Sequence, residues 1–177
     1  MPSSYDRIVL HAVWSTKYRM PLIDIGIEAS LHAIMANEFS RYGSQALEIG
    51  GSDDHVHVLF TLPRRVALSQ IMATVKGISS KWLSRQGDAY LGFAWQDGYS
   101  VFSVDYRDLR RIRHYVRNQR QHHATAGPTD TFIKEHTKIL QAYGHGDFTH
   151  QYVFPDPPPP PKRSSPLPPA APEGSLP

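Results

Sequence analysis

Hydrophobic and polar positions along the chain change period several times, and each change marks an element. Residues 7–15, RIVLHAVWS, form a β-rich run that closes on Val13 and Trp14 and reads as a buried strand. Between 24 and 42 the apolar residues Ile27, Leu31, Ile34, Met35 and Phe39 recur at amphipathic-helix spacing, and Gly43 supplies a stop. Residues 46–50 and 55–62 read as two short strands joined by the Gly/Asp-rich turn GGSDD. A longer stripe of Leu68, Ile71, Met72, Val75, Ile78, Trp82 and Leu83 predicts a helix over 66–85, and a strand over 99–104 follows. Two more helices are expected over 106–122 and 129–143. No internal repeat is visible.

The order β-α-β-β-α-β predicts an α+β, ferredoxin-like fold: a four-stranded antiparallel sheet with helices on one face, plus C-terminal helices. In that topology the first and third strands are central neighbours, which places the 55–62 strand mid-sheet. The fold alone assigns no function.

Composition changes the picture at the C-terminal end. Residues 155–177 hold 11 of the 15 prolines among the 177 residues. Such a segment forms neither helix nor central strand and has little to bury, so it is expected to be disordered or extended polyproline. A domain over 1–154 and a proline-rich tail over 155–177 are the expected divisions. The absence of Cys excludes disulfides and thiolate metal sites and fits a reducing compartment. The first residues lack a signal-peptide pattern, and no apolar run approaches the ~20 residues of a membrane span. A cytoplasmic protein without membrane contact is expected.

The formal net charge is only +3, but its distribution is uneven. Arg107, Arg110, Arg111, Arg113, Arg117 and Arg120 crowd one segment, with His114, His122 and His123 among them. A dense basic segment suits a phosphate-bearing partner, or simply a solvated helix face.

Two patterns carry candidate chemistry. In SDDHVHVLF, His55 and His57 alternate with Val56 and Val58, so both imidazoles leave the same face of the strand. Imidazole is a common ligand of divalent metals, and two on one face make half a site; the plain alternative is two hydrogen-bonded histidines. On a wheel of about 100° per residue, Leu109, Ile112 and Val116 form the stripe expected to pack on the sheet. Arg110, Arg113, Arg117 and Arg120 fall on one flank. Tyr115, Gln119 and His122 fall on the other, with Tyr115 and Gln119 stacked at i and i+4. Gln119 can offer a carbonyl oxygen to a metal, and Tyr115 a nucleophilic oxygen beside it.

At these residues the chain resembles a known family. HVH after a Gly/Asp turn is similar to the His-hydrophobic-His motif of the HUH endonuclease superfamily. YVRNQRQHH resembles the catalytic helix of its single-tyrosine members, the insertion-sequence 200/605-type transposases, including those associated with repeated extragenic palindromes. HAVWSTKYRMPLI, GGSDDHVHVLFTLP, IMATVKGISSKWL, WQDGYSVFSV, FIKEH and YVF agree in order, so the resemblance spans residues 5–154. It implies that His55, His57 and Gln119 bind a divalent metal, Mg²⁺ or Mn²⁺, and that Tyr115 is the nucleophile. Two imidazoles are soft company for Mg²⁺, which favours Mn²⁺ in vitro.

The implied activity is cleavage and rejoining of single-stranded DNA near hairpins, through a 5′-phosphotyrosyl link and a free 3′ hydroxyl. The resemblance further implies a homodimer, with or without exchange of the tyrosine helix, and association with the nucleoid during DNA binding. Arg110, Arg113, Arg117, Arg120 and Lys76 are candidate phosphate contacts, joined by Lys81, Lys17 and Arg19; Tyr18, Trp95 and Tyr99 are candidates for base stacking. No second tyrosine neighbours Tyr115, and Tyr106 would face elsewhere. The competing readings are a domesticated relative acting on chromosomal palindromes, a non-catalytic nucleic-acid-binding module, and a regulatory metal-binding protein.

Overall fold

A computed structural model describes residues 5–126 and 132–142. The domain boundary expected at 154, the proline-rich tail and the ends of the 129–143 helix lie outside the described residues. The elements run β1 (Val9–Ser15), α1 (Ile25–Arg41), β2 (Ala46–Gly51), β3 (His55–Thr61), α2 (Leu68–Leu83), β4 (Ser100–Ser103), α3 (Leu109–Arg117), α4 (Gln119–Ala126) and α5 (Phe132–Ala142). The four strands form one sheet in the order β2-β3-β1-β4, every pair antiparallel. This is the α+β, ferredoxin-like arrangement expected from the periodicity, with β1 and β3 at its centre.

Alternation along β1 and β3 divides the interior in two. Leu10, Ala12, Trp14, Val56, Val58 and Phe60 point to one face, where they meet Leu31, Met35 and Phe39 of α1 and Ile71, Met72, Val75 and Leu83 of α2. Asp24 starts α1 by accepting hydrogen bonds from the Gly26 and Ile27 amides at 2.8 and 3.1 Å, the usual cap for orphan N–H groups. Gly43, at φ +70°, turns the chain out after α1.

The other face is smaller and mixed. Val9 and Leu59 pack against Ile112 and Val116, so the stripe expected to seat α3 does so, with Leu109 at its margin. Val13 packs against Phe132, which brings α5 to the same side. His11, His55 and His57 share this face and are buried.

Two boundaries differ from expectation. The helix expected over 106–122 begins at Leu109 and is broken at Asn118. The Asn118 amide donates to the carbonyls of His114 and Tyr115, and its side-chain amide donates to the His114 carbonyl, which closes α3 locally. Gly50 of β2 faces this closing turn: a Cβ there would lie 1.9 Å from the Val116 carbonyl oxygen. Only glycine lets the end of α3 come so near the sheet.

Candidate active site

The centre begins with β3. His55 and His57, fully buried, stand side by side with ring centroids 5.2 Å apart. Each imidazole has an outward partner at Nδ1. His55 Nδ1 lies 2.6 Å from Asp54 Oδ1, and His57 Nδ1 lies 3.0 Å from His11 Nε2 on β1. Both Nε2 atoms are buried, and neither has a hydrogen-bond partner among the described residues; the same holds for Gln119 Oε1. Three buried polar atoms without a hydrogen-bond partner in one place are costly unless something pairs with them.

Above them sits Glu135 of α5, a residue that the sequence reading missed. Its Oε2 lies 2.9 Å from His123 Nε2, 3.5 Å from His55 Nε2 and 3.7 Å from His57 Nε2. Its Oε1 accepts hydrogen bonds from the Tyr115 hydroxyl and, at 2.8 Å, from Gln119 Nε2. One carboxylate thus touches every side chain expected at the site, and His123 besides. The Tyr115 ring stands edge-on to His57, with centroids 5.7 Å apart. Phe132 anchors α5 here by lying against His55, and His136 adds a 2.6 Å hydrogen bond with Ser100 of β4.

Electrostatics follow from this packing. Burial pulls the His57 imidazole down to about 4, against the pull of Glu135, and neighbouring His55 and His123 add to the depression. Burial acts on His55 in the same direction, but the Asp54 and Glu135 carboxylates outweigh it and hold His55 up at about 9. Burial, helped by His57, takes His11 down to about 3, so His11 is neutral. Burial would raise Glu135; the His123 hydrogen bond and the neighbouring His55 and His57 imidazoles prevail and keep it ionised far below the usual carboxylate range. A protonated His55 beside an ionised Glu135 is the charge balance that a cation can replace.

The residues suit a divalent metal. His55, His123 and Glu135 can each point one ligand atom to a common place, all within 4.8 Å of one another. The 3.5 and 3.7 Å separations are long for hydrogen bonds but close to the roughly 3.0–3.5 Å between two ligands of one ion at about 2.1 Å. Imidazole nitrogens with carboxylate and amide oxygens make a mixed set, better matched to Mn²⁺ and its neighbours than to Mg²⁺.

The break at Asn118 changes which histidine enters. On one continuous helix His122 shares the face of Tyr115, and His123 lies further round. With α4 re-phased, His123 reaches Glu135, while His122 lies beside Tyr115 at 6.3 Å between ring centroids. Both it and Tyr115 line a cavity of about 520 Å³, together with His11, Arg111, Glu135 and Lys138. The Tyr115 edge of the centre therefore opens onto space, while the histidine side is closed. Tyr106 is 72 % exposed and holds Arg7 over its ring, away from this centre.

On the basic flank, the arginines expected to contact phosphate also meet carboxylates of the domain. Arg113 and Arg117 both bind Glu48 of β2, at 2.9 and 2.7 Å. Arg120 binds Glu28 at 2.7 Å, Asp53, and the Ile23 carbonyl. These three arginines staple α3 and α4 to the domain; the carboxylates that claim them are remote in sequence and invisible to a charge count. Arg110 is exposed. Lys76 lies on α2, on the opposite side of the sheet, and donates to the carbonyls of Gln96 and Gly98. Trp95 is buried, with its indole N–H on Ser79 Oγ at 2.9 Å, so it is a core residue and not a stacking platform. Tyr18 is 40 % exposed and Tyr99 half-buried.

Comparison with known proteins places this geometry. The family model described as "Transposase IS200 like" matches residues 4–119. The ISDra2 transposase TnpA of Deinococcus radiodurans is 21 % identical over 114 residues, covering 62 % of this chain and 81 % of that protein. The transposase for insertion sequence element IS200 of Salmonella typhimurium is 27 % identical over 114 residues, covering 62 % and 74 %. A crystal structure of a protein assigned as a transposase from Deinococcus radiodurans R1 superposes with a TM-score of 0.54 at 20 % identity, covering 68 % of this chain and 96 % of that one, which is a likeness of fold. No described helix is long and apolar enough to cross a membrane. With a family model matched over residues 4–119 of its 177, the chain belongs to the IS200-like transposases, a family of DNA-processing enzymes.

Proposed function

We propose that the protein is a metal-dependent, single-tyrosine transposase that cleaves and rejoins single-stranded DNA next to hairpins. The observation that carries this reading is the convergence of Tyr115, Gln119, His55, His57 and His123 on one carboxylate, Glu135. A nucleic-acid-binding module that only held DNA would have no use for a phenol, three imidazoles and an amide gathered at one buried point.

His55, His57 and Gln119 Oε1 would hold a divalent metal, Mn²⁺ or Mg²⁺, with His123 and Glu135 Oε2 as additional donors. Bound there, the metal would polarise the scissile phosphate and offset the charge that develops on it. The rest falls to the chain. Tyr115 presents its hydroxyl at the cavity edge, and Glu135 Oε1 fixes that hydroxyl by accepting its hydrogen bond. Attack by the phenolic oxygen forms a Tyr–O–P bond at the 5′ side and breaks the P–O3′ bond, which releases a 3′ hydroxyl. The reverse attack by a 3′ hydroxyl on the phosphotyrosyl link rejoins strands without a nucleotide cofactor. Within the one chain described, the nucleophile and the ligand residues meet at this centre.

The test is incubation with a labelled pool of single-stranded hairpin DNAs in Mn²⁺ or Mg²⁺, followed by denaturing electrophoresis. A protein–DNA adduct formed by the wild type and absent in Tyr115→Phe is expected. An adduct that persists in Tyr115→Phe would move the nucleophile elsewhere. Binding without any adduct in either metal would make the protein a binding module.

A further inference from the structure

The outward partners of the two strand histidines are not alike. His55 donates from Nδ1 to a carboxylate, Asp54, its neighbour in the chain. The partner of His57 is another histidine, His11, on the adjacent strand. In the β1–β3 register His11 stands opposite Leu59, so it is the diagonal neighbour of His57 on the same face. The two rings lie nearly parallel, 22° apart, with centroids at 5.2 Å, and His11 is 3 % exposed. An imidazole in the middle of an otherwise apolar strand, buried and aimed at a second imidazole, is not explained by packing.

The bond has only two proton arrangements. A neutral imidazole has one N–H donor and one lone-pair acceptor. If His11 Nε2 donates, His57 Nδ1 is the acceptor, and the His57 proton is forced onto Nε2, into the orphaned site. If His57 Nδ1 donates, His11 Nε2 accepts, and the Nε2 lone pair of His57 is left facing Glu135 and Gln119. Only the second arrangement matches what Asp54 imposes on His55, with the proton on Nδ1 and Nε2 turned to the shared site.

We infer that His11 is a positioning residue for the metal centre: by accepting the Nδ1–H of His57 it sets the tautomer and ring orientation of that ligand. The inference rests on the metal reading above. It makes the centre asymmetric, with an anionic outer partner behind one imidazole and a neutral one behind the other. Outer partners of this kind ordinarily change metal affinity by about 10–100-fold. His11 also lines the cavity beside Tyr115, and its ring lies edge-on to the tyrosine at 6.4 Å, so it braces ligand and nucleophile together.

Two measurements test this without DNA. Long-range ¹⁵N–¹H spectra of the histidine rings in the metal-free wild type should show His57 as the Nδ1–H tautomer; an Nε2–H tautomer would overturn the inference. Mn²⁺ titration followed by electron paramagnetic resonance should show affinity reduced by about 10–100-fold in His11→Leu. In His11→Gln, whose side-chain carbonyl can still accept, affinity should return to within a few-fold of the wild type. Equal affinity in all three proteins would overturn the role of His11 and leave the metal reading standing. No Mn²⁺ uptake by the wild type would overturn the metal reading, and this role with it. A purely structural His11 would lower the melting temperature of both variants without moving the tautomer or the affinity. The spectrum needs no variant, so the inference stays testable if His11→Leu does not fold.

Discussion

The two faces of the sheet are built from the same strands and do opposite things. Toward α1 and α2, β1 and β3 send Leu10, Ala12, Trp14, Val56, Val58 and Phe60 into a continuous apolar core. Toward α3, α4 and α5, the alternate residues of those strands include His11, His55 and His57, and the helices answer with Tyr115, Gln119, His123 and Glu135. A period of two lets one strand serve both demands, because neighbours in sequence never share a face. The apolar face carries stability and keeps the strands at fixed spacing. The polar face carries groups that are expensive to bury and are held only because the other face is well packed. Stability and chemistry should therefore be separable by which face is altered.

The largest effect is expected at Tyr115. Tyr115→Phe removes one oxygen and should abolish covalent DNA capture, at least about 1,000-fold in single-turnover cleavage, with melting almost unchanged. A large drop in stability would show that the hydroxyl is structural. The counterpart on the other face is Phe60→Ala, which should cost about 3–5 kcal/mol in urea unfolding and leave the Mn²⁺ affinity of the folded fraction intact. If metal affinity fell in parallel, the two faces would not be independent.

Glu135→Gln keeps shape and removes charge from among three imidazoles. If Glu135 is a ligand, Mn²⁺ affinity should fall by about tenfold or more, read by titration. If the carboxylate only occupies the place of the ion, affinity should rise; the sign decides. The smallest effect concerns Lys76. Burial among the 94–99 loop lowers its ammonium from 10.5 to about 8, with Asp97 opposing. Between those values the unfolded chain binds the extra proton, so folding stability should rise with pH from about 8 to 10.5. The side chain is partly solvated, which limits the gain to about 1 kcal/mol or less. Lys76→Met should flatten that part of the pH–stability curve.

How much of this was legible depended on distance along the chain. The fold was readable because each element announces its own period, and the junctions carry Gly, Asp and Pro. His55 with His57, and Tyr115 with Gln119, were readable because two and four residues are the spacings of one strand face and one helix turn. Glu135 was not, because its role comes from α5 docking on a strand 80 residues earlier. A signal was present: Glu135 lies on the same stripe as Phe132 and Ile139, where an apolar residue would be normal. A charge count along the chain does not show that Glu48, Glu28 and Asp53 fold back onto the arginines. His123 is not legible from helical spacing because the helix breaks at Asn118.

Gly50 has a further consequence. The peptide that follows Val116, one residue past Tyr115, rests directly on this residue, with no room for one methyl group between helix end and sheet. At this point the gap between the nucleophile helix and the sheet is set by two backbones in contact, beside the packing of Ile112 and Val116 on Val9 and Leu59. Gly50→Ala would act as a shim: it should lift the end of α3, cost about 1–3 kcal/mol, and slow cleavage by about 100-fold for each ångström of displacement. A cleavage assay beside a melting curve would read the shim as a change in reach, in a protein that still carries every residue of its centre.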